Sequence, residues 1–538
     1  MPSSQTKRQT SFLFTTGLLI VSSLVSLLLG VVRDRIYSTY FTAAQLDPFF
    51  AAFKVPDTIF QLIVLGAISA SFVPVLVTVK KENGEESFNR LIQAVFTAGF
   101  IALSALCVVI FITAPWFVRI IFNGFTEENI QKTIILSRIV LVSPLFMGIS
   151  SIGASVLYTH KKFFVASLSP IAYNVGIIAT VLIFKNKLDI YGLGIGVAIG
   201  ALLYLAVIIP MVIRYKFFHN YRPTLRHHGL KKIIKMSLPR FLTIAIVQMG
   251  LLYDSHLASG LAYAGSLAIY NQALKIQNMP VNNLAIHTSN VAFPTLVEFA
   301  AEKNWKEYNK MIIDALRQAL FLTLPISIFL ALMIVQIVKI FVGPKFTDQD
   351  IALIGSCTIL FAISIWAQSL LYVMVKGFYA LQNTMTPLII AVIAFAIKIT
   401  SAYYFKNAWE TVPALPLSFS LGQIVNAILL IGILHSITKF LSLTALIEFL
   451  KITFASAVMG AFIYFTFPLW FQLLQPHSMI LNLIYISVVA GTSFGLYFLI
   501  SYILKVPETR LIIHGSLRRL NSIFKKSATS PENTGANL

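Results

Sequence analysis

GVVRDRIYSTYFTAAQLDPFFAAFKVPDTIFQLIVLGAISASFVPVL, residues 30–76, is apolar enough to lie in a bilayer, yet it carries Arg33, Asp34, Arg35, Asp47, Lys54 and Asp57. An ionised side chain at the bilayer centre costs about 2.5–3.5 kcal/mol on insertion scales, so such groups turn toward a watery interior or a partner. Charge at this density predicts a polar cavity within the membrane, with the rest of the chain as its walls.

Those walls are helices. The 538 residues are 57% hydrophobic and 11% charged, with a mean hydropathy of +0.82, which leaves too little polar surface for a soluble protein. Apolar runs of spanning length fall at about 12–32, 48–79, 91–114, 132–157, 164–184, 191–213, 235–259, 266–297, 312–341, 351–376, 386–405, 416–437, 448–474 and 479–504. That is an all-α integral membrane protein of about fourteen transmembrane helices. The run at 12–32 exceeds the roughly 7–15 residues of a signal-peptide core and reads as a retained first helix. The second and eighth runs are over-long and contain Pro56 and Pro280, so they are expected to kink.

The net charge of +21 follows topology rather than nucleic acid. Most basic residues fall in loops that share one side if the N-terminus is cytoplasmic, among them Lys80, Lys81, Arg90, Lys161, Lys162, the linker from Arg214 to Lys232, and the tail. Such a bias places both termini in the cytoplasm. His227 and His228 lie in that linker and read as solvated.

The chain also repeats itself. SFVPVLVTVKKENGEESFNRLIQ at 71–93 parallels VAFPTLVEFAAEKNWKEYNKMII at 291–313, and IIFNGFTEENI at 120–130 parallels KIFVGPKFTDQDI at 339–351. Lys54 and Lys275, Pro74 and Pro294, and Phe125 and Phe346 pair at a spacing of 220 or 221. Six spans separate matching points, so the copies share one orientation. This predicts two six-helix lobes around a central cavity: residues 1–213, a basic cytoplasmic linker at 214–234, and residues 235–437. Two further helices at 438–504 and a basic, partly disordered tail at 505–538 follow.

Enzyme chemistry finds no foothold in the sequence. GLGIG at 192–196 lies in a span with no preceding strand, and small-residue helix packing through Gly196 and Gly200 explains it better than a dinucleotide fingerprint. There is no phosphate loop, no HExxH and no GxSxG. Cys107 and Cys357 offer neither a disulfide framework nor a metal spacing. The intramembrane charges remain: Arg33, Asp47, Lys54 and Lys275 as substrate-binding candidates, and Asp34, Asp57, Arg240, Asp254 and Lys398 as further cavity charges. The repeat spacing sets Arg33 opposite Asp254, and Asp254 could alternatively pair with Lys398. Arg33 and Arg35 have an alternative as snorkelling groups at the outer interface, and Arg138 stands near that interface. A net basic cavity in oil suits a lipid-linked phosphate, because Arg and Lys bind phosphate oxygens by charge-assisted hydrogen bonds.

The segment GVVRD…LDPFFAAFKVP…GAISASFVPVL, SPIAYNVGII at 169–178, FPTL with its acidic-aromatic loop at 293–308, and GFYALQNTMTP at 377–387 together resemble the MurJ/MviN family of lipid II flippases. The resemblance implies the multidrug/oligosaccharidyl-lipid/polysaccharide exporter fold, with the last two helices forming a groove for the polyprenyl tail. It implies a transporter in the bacterial cytoplasmic membrane that flips undecaprenyl-pyrophosphate-linked peptidoglycan precursor by alternating access. Lipid II, membrane lipids and other cell-wall synthesis proteins would be the partners. No cofactor is expected, and energy would come from the membrane potential or an ion. Arg33, Asp47, Lys54 and Lys275 match charged positions of the family. Leu27 and Phe60, where Arg is common, and Leu65, where an acid is common, depart from it and thin the pyrophosphate-contacting set. The rival expectations are an exporter of another polyprenyl-linked glycan, an ion-coupled drug exporter, and a non-transporting scaffold or glycosyltransferase.

Overall fold

The computed structural model describes residues 4–62, 72–159, 163–185, 187–214, 223–474 and 478–510. They form α1 (Ser4–Tyr40), α2 (Ala43–Phe60), α3 (Phe72–Ile121), α4 (Glu127–Val140), α5 (Val142–Thr159), α6 (Phe163–Phe184), α7 (Tyr191–Arg214), α8 (His228–Ser259) and α9 (Ser266–Pro280). After a π-helical turn at Val281–Ala285 come α10 (Ile286–Ala301), α11 (Trp305–Leu332), α12 (Ile334–Phe341), α13 (Asp348–Ala362), α14 (Ile365–Ala380), α15 (Met385–Trp409), α16 (Ala414–Thr438), α17 (Leu443–Leu474) and α18 (Met479–Ile503). No strand occurs among the described residues.

Ten of these spans are long and apolar enough to cross a membrane, and an eleventh results if α13 and α14, bent by 41°, count as one. Their positions match the expected runs from the third onward, apart from the eighth. That run is split into α9 and α10 by the π turn after Pro280, as the kink expectation requires, and neither piece reaches spanning length. Proline has no N–H to give the preceding turn, and the wider π turn absorbs the misfit. The second run includes residues 63–71, outside the described residues, so its bend is not described, although α2 continues as helix through Pro56.

Local sequence sets the ends. Thr42 and Gln45 form a capping box at the start of α2. Thr126 caps α4, with Glu127 and Glu128 in its first turn, where carboxylates favour the helix dipole. Thr347, which stands 221 residues after Thr126, exchanges hydrogen bonds with Asp350 at the start of α13, at 2.8 and 3.1 Å. The repeat is therefore legible in the caps. Gly84, at φ +78°, breaks α3 between Lys81 and Arg90, in a conformation that favours glycine.

Two compact units are present. The first comprises residues 1–276, 337–361 and 384–422. Within it α6 packs on α7, α1 on α6, α2 on α4, and α15 on α8. The α6–α7 contact is made by glycines: a Cβ at Gly200 would stand 2.7 Å from the Tyr173 carbonyl, and Gly176 faces the Gly200 backbone. GLGIG is thus a packing stripe. The second unit comprises residues 277–336, 362–383 and 423–538. Here α11 packs on α14 and α17, and α17 on α18. The buried Tyr497 and Tyr308 hydroxyls donate to the Phe321 and Gly377 carbonyls, both at 2.9 Å.

Arg35 corrects the snorkelling alternative. Its guanidinium donates to the carbonyls of Lys339, Ile340 and Val342 at 2.6, 3.2 and 2.8 Å. It caps the C-terminus of α12, where helix carbonyls lack partners and cations are favoured. His227 corrects a second reading. It is not solvated but N-caps α8, accepting from Gly229 N–H at 3.1 Å through Nδ1, while Nε2 meets Ser87 Oγ at 3.3 Å.

Candidate functional site

The site lies within the first unit and is assembled by α1, α2, α6 and α9. Asp34 is its centre. Its carboxylate lies 3.0 Å from the Arg33 guanidinium and 3.1 Å from the Lys275 ammonium, so one buried acid bridges two cations. Arg33 also donates to Asn174 Oδ1 on α6 at 3.0 Å, and Asn174 is held in turn by donation to the Pro170 carbonyl at 3.0 Å. Tyr37 lies beneath the Arg33 guanidinium, and the Phe50 ring stands 4.8 Å from Lys275 Nζ, both arrangements in which a cation meets an aromatic face.

Lys54 reaches the same helix. Its ammonium donates to Asn271 Oδ1 on α9 at 2.7 Å, one turn before Lys275. The symmetry-related lysines of the sequence thus converge on α9, one from across the repeat and one from within it. Arg33, Lys54 and Lys275 are deeply surrounded by protein, yet each keeps part of its side chain accessible, 32% for Lys275. Asp57, one turn beyond Lys54, combines the same depth with an exposed side chain. Deep but reachable polar groups are what line a hollow. Three cations against Asp34 and Asp57 leave it one positive charge in excess, which favours an anion.

Asp47 has a different environment. It is buried, and its two oxygens accept from Gly265 N–H at 3.0 Å and Ala268 N–H at 2.8 Å. It caps the N-terminus of α9 from outside that helix, so both oxygens are engaged by backbone rather than open to a ligand. Asp254 is fully buried and pairs with Lys398 of α15 at 2.8 Å. The alternative pairing of the sequence reading is the one present, and the Arg33–Asp254 opposition is not, since Arg33 has Asp34. Arg240 has a side chain outside the described residues, as does all of Leu65. Leu27 is exposed and Phe60 half-buried. Arg138 donates to the Phe111 carbonyl at 3.2 Å, with its guanidinium 5.0 Å from the Phe111 ring centre.

Sequence reasoning passed over Asn174, Asn271 and Tyr270. Each is a single polar residue in an apolar helix, and only its neighbour across helices shows what it does. For Asn174 and Asn271 the available signal is an amide in a span rich in Val and Ile, where an unpaired polar group is costly.

A family model described as "Lipid II flippase MurJ" matches residues 36–485. The lipid II flippase MurJ of Burkholderia cenocepacia is 26% identical over 77% of this chain and 82% of its own length. A probable lipid II flippase MurJ of Thermotoga maritima is 27% identical over 81% of this chain and 86% of its own. Among solved structures, a lipid II flippase MurJ in an inward closed conformation superposes with a TM-score of 0.73 at 23% identity, covering 90% of this chain and 98% of that one. An inward-facing multidrug resistance transporter of the MATE family gives 0.63 at 17% identity, over 78% of this chain and 98% of that one. At these identities the structures establish the fold, that of the exporter superfamily.

Proposed function

We infer, from the premise that this chain belongs to the MurJ family of lipid II flippases, that it carries lipid II from the inner to the outer leaflet of the bacterial cytoplasmic membrane. The observation that carries the substrate-binding part is the bridged pair of cations, Arg33 and Lys275, with Lys54 beside them on the shared helix α9.

In the ligand-free site the Asp34 carboxylate holds together two cations that would otherwise repel. A pyrophosphate brings more negative charge and more acceptor oxygens than one carboxylate, so it can take over Arg33 and Lys275 and draw in Lys54. Arg33 offers a planar fork suited to two phosphate oxygens, whereas the lysines offer point charges that follow the ligand as it moves. The polyprenyl tail stays in the bilayer, so only the charged head needs a hollow. The two repeats act as lobes that alternately open the hollow inward and outward. Lipid II must favour the switching state, because a ligand shifts an equilibrium only by its differential affinity. No covalent step is required, and both termini remain cytoplasmic. Energy comes from the membrane potential, about 2.3 kcal/mol per charge per 100 mV, or from a coupled ion.

The test is a bacterium depleted of its own flippase and supplied with this chain, with lipid II exposure on the outer leaflet measured. Wild-type protein restores exposure; failure to do so removes the lipid II assignment. The double variant Lys54→Gln/Lys275→Gln loses that exposure while remaining folded in the membrane. Normal exposure by the double variant ends the phosphate role of the two lysines.

A further inference from the structure

The pair Asp254–Lys398 takes no part in the phosphate site, yet it is the most deeply buried charge in the first unit. Asp254 Oδ2 receives the Lys398 ammonium at 2.8 Å and the Tyr270 hydroxyl at 2.5 Å. Lys398 also donates to the Gly250 carbonyl at 2.5 Å. Two glycines make the room, since a Cβ at Gly250 would stand 2.9 Å from Lys398 Nζ and one at Gly422 3.0 Å from Lys398 Cβ. Asp254 Oδ1 is buried with no hydrogen-bond partner. A carboxylate so one-sidedly satisfied is unusual, because a buried charged acceptor left bare costs more than the roughly 1–3 kcal/mol of a neutral one.

We propose that Asp254 Oδ1 is a proton-binding site coupled to the substrate site through α9. A metal cation does not suit the position: the ammonium of Lys398 already occupies the cation place at Oδ2, and Oδ1 alone supplies too few ligands. A proton suits it, since neutralising the acid removes the cost of the bare oxygen. The proton comes from hydronium; one O–H bond forms at Oδ1, none breaks in the protein, and the cluster gains one positive charge. Lys398 then faces a neutral acid. A buried ammonium stripped of its counter-charge is strongly destabilised, so Lys398 and Tyr270 let go of Asp254. The pair thus has two arrangements, as a switching element requires.

The lever is α9. This helix carries Tyr270, which holds Asp254, then Asn271, which holds Lys54, and then Lys275, which holds Asp34. Releasing Tyr270 frees the end of α9 that positions two of the three phosphate-binding cations. The groups facing Asp254 are Lys398 from α15 and Tyr270 from α9. Around them stand Lys54 of α2, Cys357 of α13, Tyr253 on α8 itself and Tyr403 of α15. The link to translocation rests on the phosphate-site reading; the proton site is tested without it.

The experiment is infrared difference spectroscopy of the full chain in nanodiscs, acidified stepwise in H2O and D2O with no lipid substrate. Wild type gains a protonated-carboxyl band that shifts in D2O. Asp254→Asn loses that band and Asp57→Asn keeps it; identical spectra for wild type and Asp254→Asn overturn the proposal. Should Asp254→Asn not fold, Lys398→Met serves. With its cation gone, Asp254 is protonated before acidification, so the acid-induced band disappears, and its persistence overturns the proposal equally. Coupling is read with inorganic pyrophosphate. Its thermal stabilisation of the protein changes with pH in wild type and not in Asp254→Asn; the same pH dependence in both ends the link through α9.

Discussion

At the scale of single residues, the site turns on Asp34, which a linear reading assigns only to a cavity wall. That Arg33 and Lys54 lie too deep in their spans to be idle was legible from position, and so was the match of Lys54 with Lys275. That one acid bridges Arg33 and Lys275 was not, because the bridge joins α1 to α9 across more than two hundred residues. Replacing Asp34 by Asn leaves two cations facing each other. Breaking a buried pair costs roughly 3–5 kcal/mol, and the water access of Lys275 puts the expected loss at the lower end. If Asp34 stands in for phosphate, inorganic pyrophosphate raises the melting temperature of Asp34→Asn more than that of wild type, since a ligand stabilises the state it binds. Equal shifts in a thermal unfolding assay would deny Asp34 that part. His227 gives a second residue-scale expectation. Burial, with His228 stacked beside it, pushes its pKa below the ordinary 6.5, against the raising contact of Ser87. Neutral Nδ1 accepts the Gly229 N–H, and protonation ends that cap. The unfolded chain therefore binds the proton first, so stability falls as pH drops from about 6.5 toward the lower folded value. The melting temperature of His227→Asn, which keeps a cap acceptor, should be flatter than that of wild type across that window.

Among elements, α9 is the one whose sequence least resembles its role. SLAIYNQALKIQNMP is short and polar for a membrane helix, and the repeat alone marked it through Lys275. Its N-terminus is held by Asp47 of α2, a residue that the sequence grouped with the binding charges because charge in a span is all that composition can show. A carboxylate serving two helix N–H groups and one serving a ligand look alike until the acceptor's partners are placed. Substituting Asp47 by Ala strands two buried N–H groups, each worth about 1–3 kcal/mol when unsatisfied, and releases the end of α9 nearest Tyr270 and Asn271. Folded yield in membranes should fall. In the protein that does fold, hydrogen exchange at 265–271 should rise well beyond exchange in α6. Protection at 265–271 unchanged from wild type would mean the cap is held by something other than Asp47.

Over the whole molecule, the positions of the spanning helices were legible from hydropathy because a bilayer demands about twenty apolar residues each time the chain crosses. Where that demand is relaxed, at the broken eighth run, composition overcounts, because a helix interrupted by Pro280 and a π turn keeps its apolar residues without keeping its length. Orientation rests on the same-sense repeat, and its most direct expression is the matched caps Thr126 and Thr347. Matched points in a parallel repeat must face the same side. Glu82, beside the Gly84 break, and Lys303, in the turn before α11, stand 221 residues apart, and Glu128 and Asp348 stand 220 apart in the first turns of α4 and α13. Single cysteines at the first two positions should react with a membrane-impermeant maleimide only after the cells are opened. Those at the second two should react in intact cells. The native Cys107 and Cys357 are buried and contribute little background. An inverted repeat would instead split each pair between the two sides, and the lobes could not then present Lys54 and Lys275 to the hollow from equivalent depths. The labelling pattern therefore decides between two architectures that hydropathy alone cannot separate, and with them whether the two lysines are a symmetry-related pair.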